Sequence, residues 1–188
     1  MHTPSKIETD RLLLRPWRAD DAEDLHPILE TNWSHLGPWI PARVATPASI
    51  PILVERLSGF AREFDGEREW RYALLTRADS KLLGELSLFP RSATARAALG
   101  DADRVELGYW LRLDENGHGF VTEAVRAALD VAASIDRFTR VEIRCDARNE
   151  KSSAIPKRLG FALTDTIADP AEPDVQLQVW TLPLGDEK

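Results

Sequence analysis

Apolar residues recur along this chain with two periods, near 2 and near 3.6, and each switch between them marks an element boundary. Residues 7–15 read as a first strand, with the run Leu12, Leu13 and Leu14 closed by Pro16. Residues 19–30 predict a helix, with acids in the first turn where the helix dipole favours negative charge. The stretch 36–49 holds Pro38, Pro41 and Pro47 and reads as a loop. Ile50, Leu53, Leu57, Phe60 and Phe64 then share one face of a second helix over 50–64. Two apolar runs over 70–90, parted by Ala78, Asp79, Ser80 and Lys81, predict a β-hairpin, and 91–103 a loop.

Residues 105–111 alternate, with Val105, Leu107, Tyr109 and Leu111 on one face of a strand and Glu106, Gly108 and Trp110 on the other. Gly117 and Gly119 interrupt the pattern. After them Phe120, Ala124, Ala128, Val131 and Ile135 line one face of a helix, with Glu123, Arg126, Asp130 and Ser134 opposite. Val141, Ile143 and Cys145 alternate through a strand over 138–146. Asn149 is a suitable N-cap and Gly160 a suitable stop for a helix that Pro156 makes short or kinked. Residues 162–168 and 175–184 read as two last strands around the turn-rich 169–174. The sum is a mixed α/β domain.

A chain of 188 residues with 43% hydrophobic content is enough for one core, so a single domain over 1–188 is expected. The net charge of -7 argues against general binding to nucleic acid or an anionic membrane, and suits a cationic acceptor. Neither an export signal nor a long apolar span stands out, which implies a cytoplasmic protein. Cys145 is the single cysteine and the four histidines are scattered, so no disulfide and no structural metal are expected. Alternation places Cys145 on the apolar face of its strand, which argues against a ping-pong thiol.

Glycines before a helix let the chain turn and let a ligand touch the backbone. The first helical N–H groups have no internal partner and the dipole is positive there, so a phosphate or pyrophosphate is a natural occupant. The P-loop needs a Gly-Lys-Ser/Thr that is absent, and the dinucleotide fingerprint needs glycine where Thr122 stands. These absences argue against ATP and NAD.

The run Asn116-Gly117-His118-Gly119-Phe120-Val121 resembles the Q/R-x-x-G-x-G/A motif of the GNAT acyltransferase superfamily, which holds the pyrophosphate of acetyl-CoA. Asn116 stands where that motif has Gln or Arg, and Val121 where it has a small residue. RLLLRPW, LGPWIP, ELGYWL, GHGFVTEA, and Asn149 and Ser152 followed by Leu159-Gly160-Phe161 resemble the RimJ/RimL branch, the ribosomal-protein N-terminal acetyltransferases, over nearly the whole chain. The resemblance implies a GNAT fold, a twisted, mixed and mostly antiparallel sheet of about six to seven strands flanked by about four helices.

It also implies the chemistry, in which an amine attacks the CoA thioester directly, an oxyanion is stabilised and a thiolate is protonated. Glu106 matches a position where some members carry a catalytic glutamate, and is the candidate base. Trp110, Leu111 and Arg112 match the strand end whose backbone pairs with pantetheine. The turn Asn116 to Val121, with Thr122, would take the pyrophosphate, Asn149 would touch pantetheine, and Lys157 or Arg158 the 3'-phosphate. Ser152, with Ser153 as rival, matches a serine near the sulfur. No tyrosine lies in that segment to act as the leaving-group acid, which leaves Ser152 or water. Trp33, Leu36 and Trp39, with Glu106, would line the acceptor site.

The resemblance thus implies an acetyl-CoA-dependent N-acetyltransferase, monomeric or homodimeric. Its acceptor would be the α-amine of a protein or peptide, a basic N-terminus suiting the acidic balance. Acetylation of an aminoglycoside or polyamine, use of succinyl-CoA, and a non-catalytic CoA-binding module remain open alternatives.

Overall fold

The computed structural model describes residues 3–185. The first two and last three residues of the expected 1–188 domain lie outside the described residues. The strands are β1 (Ile7–Glu8), β2 (Leu12–Pro16), β3 (Trp70–Thr76), β4 (Leu82–Arg91), β5 (Arg104–Leu111), β6 (Arg140–Asp146), β7 (Ala162–Ala168) and β8 (Gln176–Pro183). The α-helices are α1 (Ala22–Leu36), α2 (Ala42–Ala45), α3 (Ile50–Asp65), α4 (Phe120–Ala133) and α5 (Glu150–Arg158). The strands form one sheet in the order β1-β2-β3-β4-β5-β6-β8-β7, antiparallel throughout except for the β5–β6 pair. This is the twisted, mixed and mostly antiparallel sheet that was expected.

Among the described residues, the eight strands and five helices exceed the expected counts, for local reasons. Residues 7–15 are two antiparallel strands because Thr9 closes a turn between them. Its amide donates to the Leu12 carbonyl at 3.0 Å and its hydroxyl accepts from the Leu12 amide at 2.9 Å. The first helix runs six residues past the expected end at 30 despite Pro27, because Asn32 and Leu36 still face the core. The proline-rich loop contains the short α2, whose Val44 and Ala45 are buried.

Two apolar clusters sandwich the sheet. On one face, α4 packs Ala124, Val125 and Ala128 against Leu74, Leu86, Val105 and Leu107, with Ile155, Leu159 and Phe161 joining from α5 and beyond. On the other, α1, α2 and α3 pack Leu29, Val44, Leu53 and Leu57 against Trp17, Ala73, Leu75 and Trp110. The alternation of β5 is the one expected, since Leu107 and Tyr109 join the α4 face and Trp110 the α1 face. Gly84 is needed where β4 meets the end of β5: a Cβ there would sit 2.1 Å from the Trp110 carbonyl oxygen. This close approach holds β4 and β5 together to Leu111, and the candidate site begins on the other edge of β5.

Candidate active site

The parallel ladder between β5 and β6 runs only from Arg104↔Arg140 to Leu107↔Ile143, while β4 stays paired with β5 as far as Leu111. Past Leu107 the two strands part. A cleft of about 2100 Å³ opens there, lined by Gly108 to Leu111, by Arg144 to Asp146, by the starts of α4 and α5, and by the α1–α2 segment. The free edge of β5 offers backbone groups to an extended ligand.

The glycine turn lies at one end. Gly117 and Gly119 have φ of 86° and 81°, in the left-handed region that favours glycine, and Gly119 is the N-cap of α4 with no side-chain cap. The amides of the first turn are therefore left for an anion. A Cβ at Gly117 would meet nothing within 4 Å, so the turn is open.

Arg11 fixes this turn; it opens the RLLLRPW motif, which the sequence pattern gives no role at the site. Its amide and its Nε donate to the Glu123 carboxylate at 3.0 and 2.7 Å, and its Nη1 donates to the His118 carbonyl at 3.0 Å. Its guanidinium lies 4.6 Å from the Phe120 ring centroid. Burial works to raise the Glu123 carboxyl, but bonds from the Thr9 hydroxyl and from Arg11 outweigh it and lower its pKa. Glu123, expected on the polar face of α4, anchors that helix to the turn between β1 and β2. His118 is exposed, with Nδ1 3.3 Å from the Glu115 carbonyl.

Further along, the roles separate. The Trp110 side chain is buried in the α1–α3 cluster with its Nε1 unpartnered, so only its backbone reaches the cleft edge. The Arg112 amide donates to the Leu83 carbonyl, and its Nε to Asp114 at 2.7 Å. Asn116 Nδ2 lies 3.3 Å from Nε2 of His35, a cleft residue the sequence reading passed over. Burial, then the Lys151 charge, hold the His35 pKa below its usual 6.5, and the Leu111 backbone opposes them. Val121 lines the cleft, whereas the Thr122 side chain is buried and its hydroxyl accepts from Arg158 Nη1 at 3.1 Å. Lys157 sits over the Trp180 ring, 5.5 Å from its centroid.

At the start of α5, Asn149 is the N-cap, its side chain accepting from the Ser152 amide at 3.0 Å. Ser153 is buried and donates to the Glu150 carbonyl, whereas Ser152 lines the cleft. No tyrosine was expected in this region, yet β5 brings Tyr109 to it. The Tyr109 hydroxyl donates to the Ser152 carbonyl at 3.0 Å and lies 3.4 Å from Ser152 Oγ. Burial pushes the Tyr109 phenol well above its usual pKa, and the Ser152 bond only partly offsets it. Cys145 is buried, and burial likewise raises its thiol.

Glu106 does not join this pair. It projects from the face of β5 that carries Gly108 and Trp110, where its carboxylate accepts from Arg91 Nη1 at 2.7 Å and lies 3.8 Å from Arg144 Nε. The candidate base and the hydroxyl pair therefore flank the parting of β5 and β6 from opposite faces. Of the expected acceptor residues, Trp39 and Leu36 line the cleft, the first exposed and the second mostly buried, while Trp33 is exposed outside it.

The comparisons agree with this architecture. Residues 11–162 match the family described as Acetyltransferase (GNAT) domain. YdaF of Bacillus subtilis (strain 168), named as a ribosomal N-acetyltransferase, is 29% identical over 153 residues, 81% of this chain and 78% of YdaF. The structure of RimL, the ribosomal L7/L12 α-N-protein acetyltransferase, in complex with coenzyme A superposes with a TM-score of 0.78 at 18% identity, covering 98% of each chain. The microcin C7 self-immunity acetyltransferase MccE, in complex with acetyl-CoA and AMP, superposes with a TM-score of 0.81 at 20% identity, covering 96% of this chain and 97% of MccE.

Proposed function

This chain belongs to the GNAT family of N-acetyltransferases, and from that premise we propose that it transfers the acetyl group of acetyl-CoA to the α-amine of a protein or peptide in the cytoplasm. The observation that carries this reading is the parting of β5 and β6 beside an open glycine turn at the start of α4. The turn from Asn116 to Thr122 supplies backbone amides for the pyrophosphate, and the free edge of β5 up to Leu111 pairs with pantetheine, the Arg112 amide being taken by the Leu83 carbonyl of β4. Asn149 and Arg158 complete the CoA side. Neighbours solved with CoA and acetyl-CoA support that co-substrate, and the names of YdaF and RimL support a protein acceptor.

The acceptor enters from the Glu106 face, past Trp39 and Leu36. Its nitrogen attacks the thioester carbon, the new C–N bond forms and the C–S bond breaks. An α-amine has a reference pKa of about 7.7 to 8, so Glu106, acting directly or through water, need remove only one proton from a weakly basic nitrogen. The thiolate leaves toward Ser152 and Tyr109, and either hydroxyl gives it a proton by exchanging its present bond, Tyr109 to the Ser152 carbonyl or Ser152 Oγ to the Tyr109 oxygen, for one to sulfur. A phenol with a raised pKa stays protonated at neutral pH and so remains a donor.

Thermal unfolding with and without acetyl-CoA, followed by acetyl transfer to a set of N-terminal peptides and small amines, tests the reading. A ligand at 100 times its dissociation constant adds about 2.7 kcal/mol, a rise of roughly 5 to 10 °C for a domain of this size. A rise and turnover on peptides are expected. No rise, or turnover on small amines alone, overturns the proposal.

A further inference from the structure

The wall of the cleft opposite α4 has a charge that the whole chain does not predict. Arg43, Arg71, Arg91, Arg96 and Arg144 line it together with Glu85, Glu106 and Asp146, the last taken up by Arg148 at 2.6 Å, in a chain of net charge -7. Glu85 is already saturated, accepting from Trp17 Nε1 at 2.8 Å, Arg71 Nη1 at 2.7 Å and Ser87 Oγ at 2.7 Å. Glu106 lies between Arg91 and Arg144. The other carboxylates near these arginines, Glu69 and Glu142, do not line the cavity.

Each of these guanidiniums has a carboxylate partner, Glu69 for Arg43, Arg71 and Arg96, Glu85 also for Arg71, Glu106 for Arg91, and Glu106 and Glu142 for Arg144, but two of them keep an unused buried donor. Arg91 is 9% exposed, and its Nε and that of Arg144 are buried without a hydrogen-bond partner. Burial lowers the pKa of Arg43 and of Arg91; Arg71 and Arg96 push the first the same way against Glu69 and Glu85, and Arg144 and Arg96 push the second the same way against Glu106 and Glu142. Arg96 lies over the Phe89 ring, 3.7 Å from its centroid, which holds its charged plane at the cavity wall. Buried donors and crowded like charges are both relieved by an anion.

We propose that this wall binds an acceptor bearing carboxylates close to its amine, namely a protein or peptide N-terminus followed by acidic residues. The inference rests on the acyl-transfer reading and gives it a substrate class, opposite in charge to the basic acceptor that the net charge suggests. Size favours a peptide over a small acid, because about 2100 Å³ exceeds the roughly 300 to 1000 Å³ of a small-molecule pocket and leaves room for a chain beside CoA. Glu106 faces the acceptor amine while Arg91 and Arg144 on either side face its carboxylates.

The test is equilibrium binding to the CoA-loaded protein, which needs no turnover. Peptides differing only at their second and third residues, Glu-Glu, Gln-Gln or Lys-Lys, are titrated alongside free glutamate. The acidic peptide should bind on the order of tenfold more tightly than its glutamine isostere, with the gap shrinking as salt rises. The double variant Arg43→Gln with Arg96→Gln, at exposed positions that the fold tolerates, should narrow that gap with CoA affinity unchanged. Equal binding of the three peptides, or preference for Lys-Lys, overturns the proposal. Free glutamate binding as tightly as the acidic peptide would assign the same guanidiniums to a small amino acid and overturn the peptide part. Discrimination by charge without acetyl transfer to any amine would sink the acyl-transfer reading and leave the anion-binding site standing.

Discussion

The Tyr109 hydroxyl donates to the Ser152 carbonyl at 3.0 Å and stands 3.4 Å from Ser152 Oγ, so a strand residue and a helix residue 43 positions apart present two hydroxyls to the cleft. Tyr109→Phe should lower kcat on the order of 100-fold with KM for acetyl-CoA little changed, as for loss of an acid–base contribution. Steady-state kinetics beside Ser152→Ala divides the role between them. If Tyr109→Phe keeps full kcat, the phenol has no part in the chemistry.

Glu106→Gln keeps an acceptor for Arg91 but removes the proton-accepting carboxylate. The rate near neutral pH should fall on the order of 100-fold while acetyl-CoA affinity is retained. A rate-against-pH profile checks it, and an unchanged profile would remove Glu106 from the proton path.

Two glycines should fail in different ways. Gly119→Ala puts a Cβ on a residue with φ of 81°, at a cost of about 1 to 2 kcal/mol, and should fold with impaired CoA binding. Gly84→Ala drives a Cβ to 2.1 Å from the Trp110 carbonyl oxygen, and should cost about 3 kcal/mol or more. Chemical denaturation and CoA titration of both variants separate the two. The reverse ranking of stabilities would contradict both placements.

Arg11→Gln should weaken CoA binding on the order of tenfold while changing the melting temperature little, because the exposed guanidinium ties together Glu123, the His118 carbonyl and the Phe120 ring. Isothermal titration is the readout. Unaltered affinity would show that the turn holds its shape without this clip.

His35 makes stability pH-dependent with a definite sign. Its folded pKa lies below 6.5, so below that pH the unfolded chain takes up a proton that the folded one does not. Stability is whole above 6.5 and is lost as pH falls toward the folded pKa. Urea unfolding at about pH 7.5 and about pH 5.5 should show a smaller drop in His35→Asn than in the parent. An equal drop would clear His35 of the effect.

Much of this molecule is legible in its sequence because local periodicity is a local property. The α4 face of Ala124, Ala128 and Val131, the alternation of β5, and the glycine turn follow from spacing alone, and the turn resembles a motif that holds CoA in the family. Local reading faltered where one side chain decided an element, as Thr9 did in splitting the first strand.

What the sequence could not set was which distant residues share the cleft. Net charge is a sum over the whole surface, whereas the cleft wall gathers arginines from α2, β3, β4, the loop after β4, and β6, a concentration that a total of -7 does not reveal. Tyr109 looked like one more apolar position of β5 until the parting of β5 and β6 brought Ser152 beside its hydroxyl. The spacing along one strand determines which face a side chain takes. Only the packing of strand against strand and helix against sheet decides what that side chain meets there.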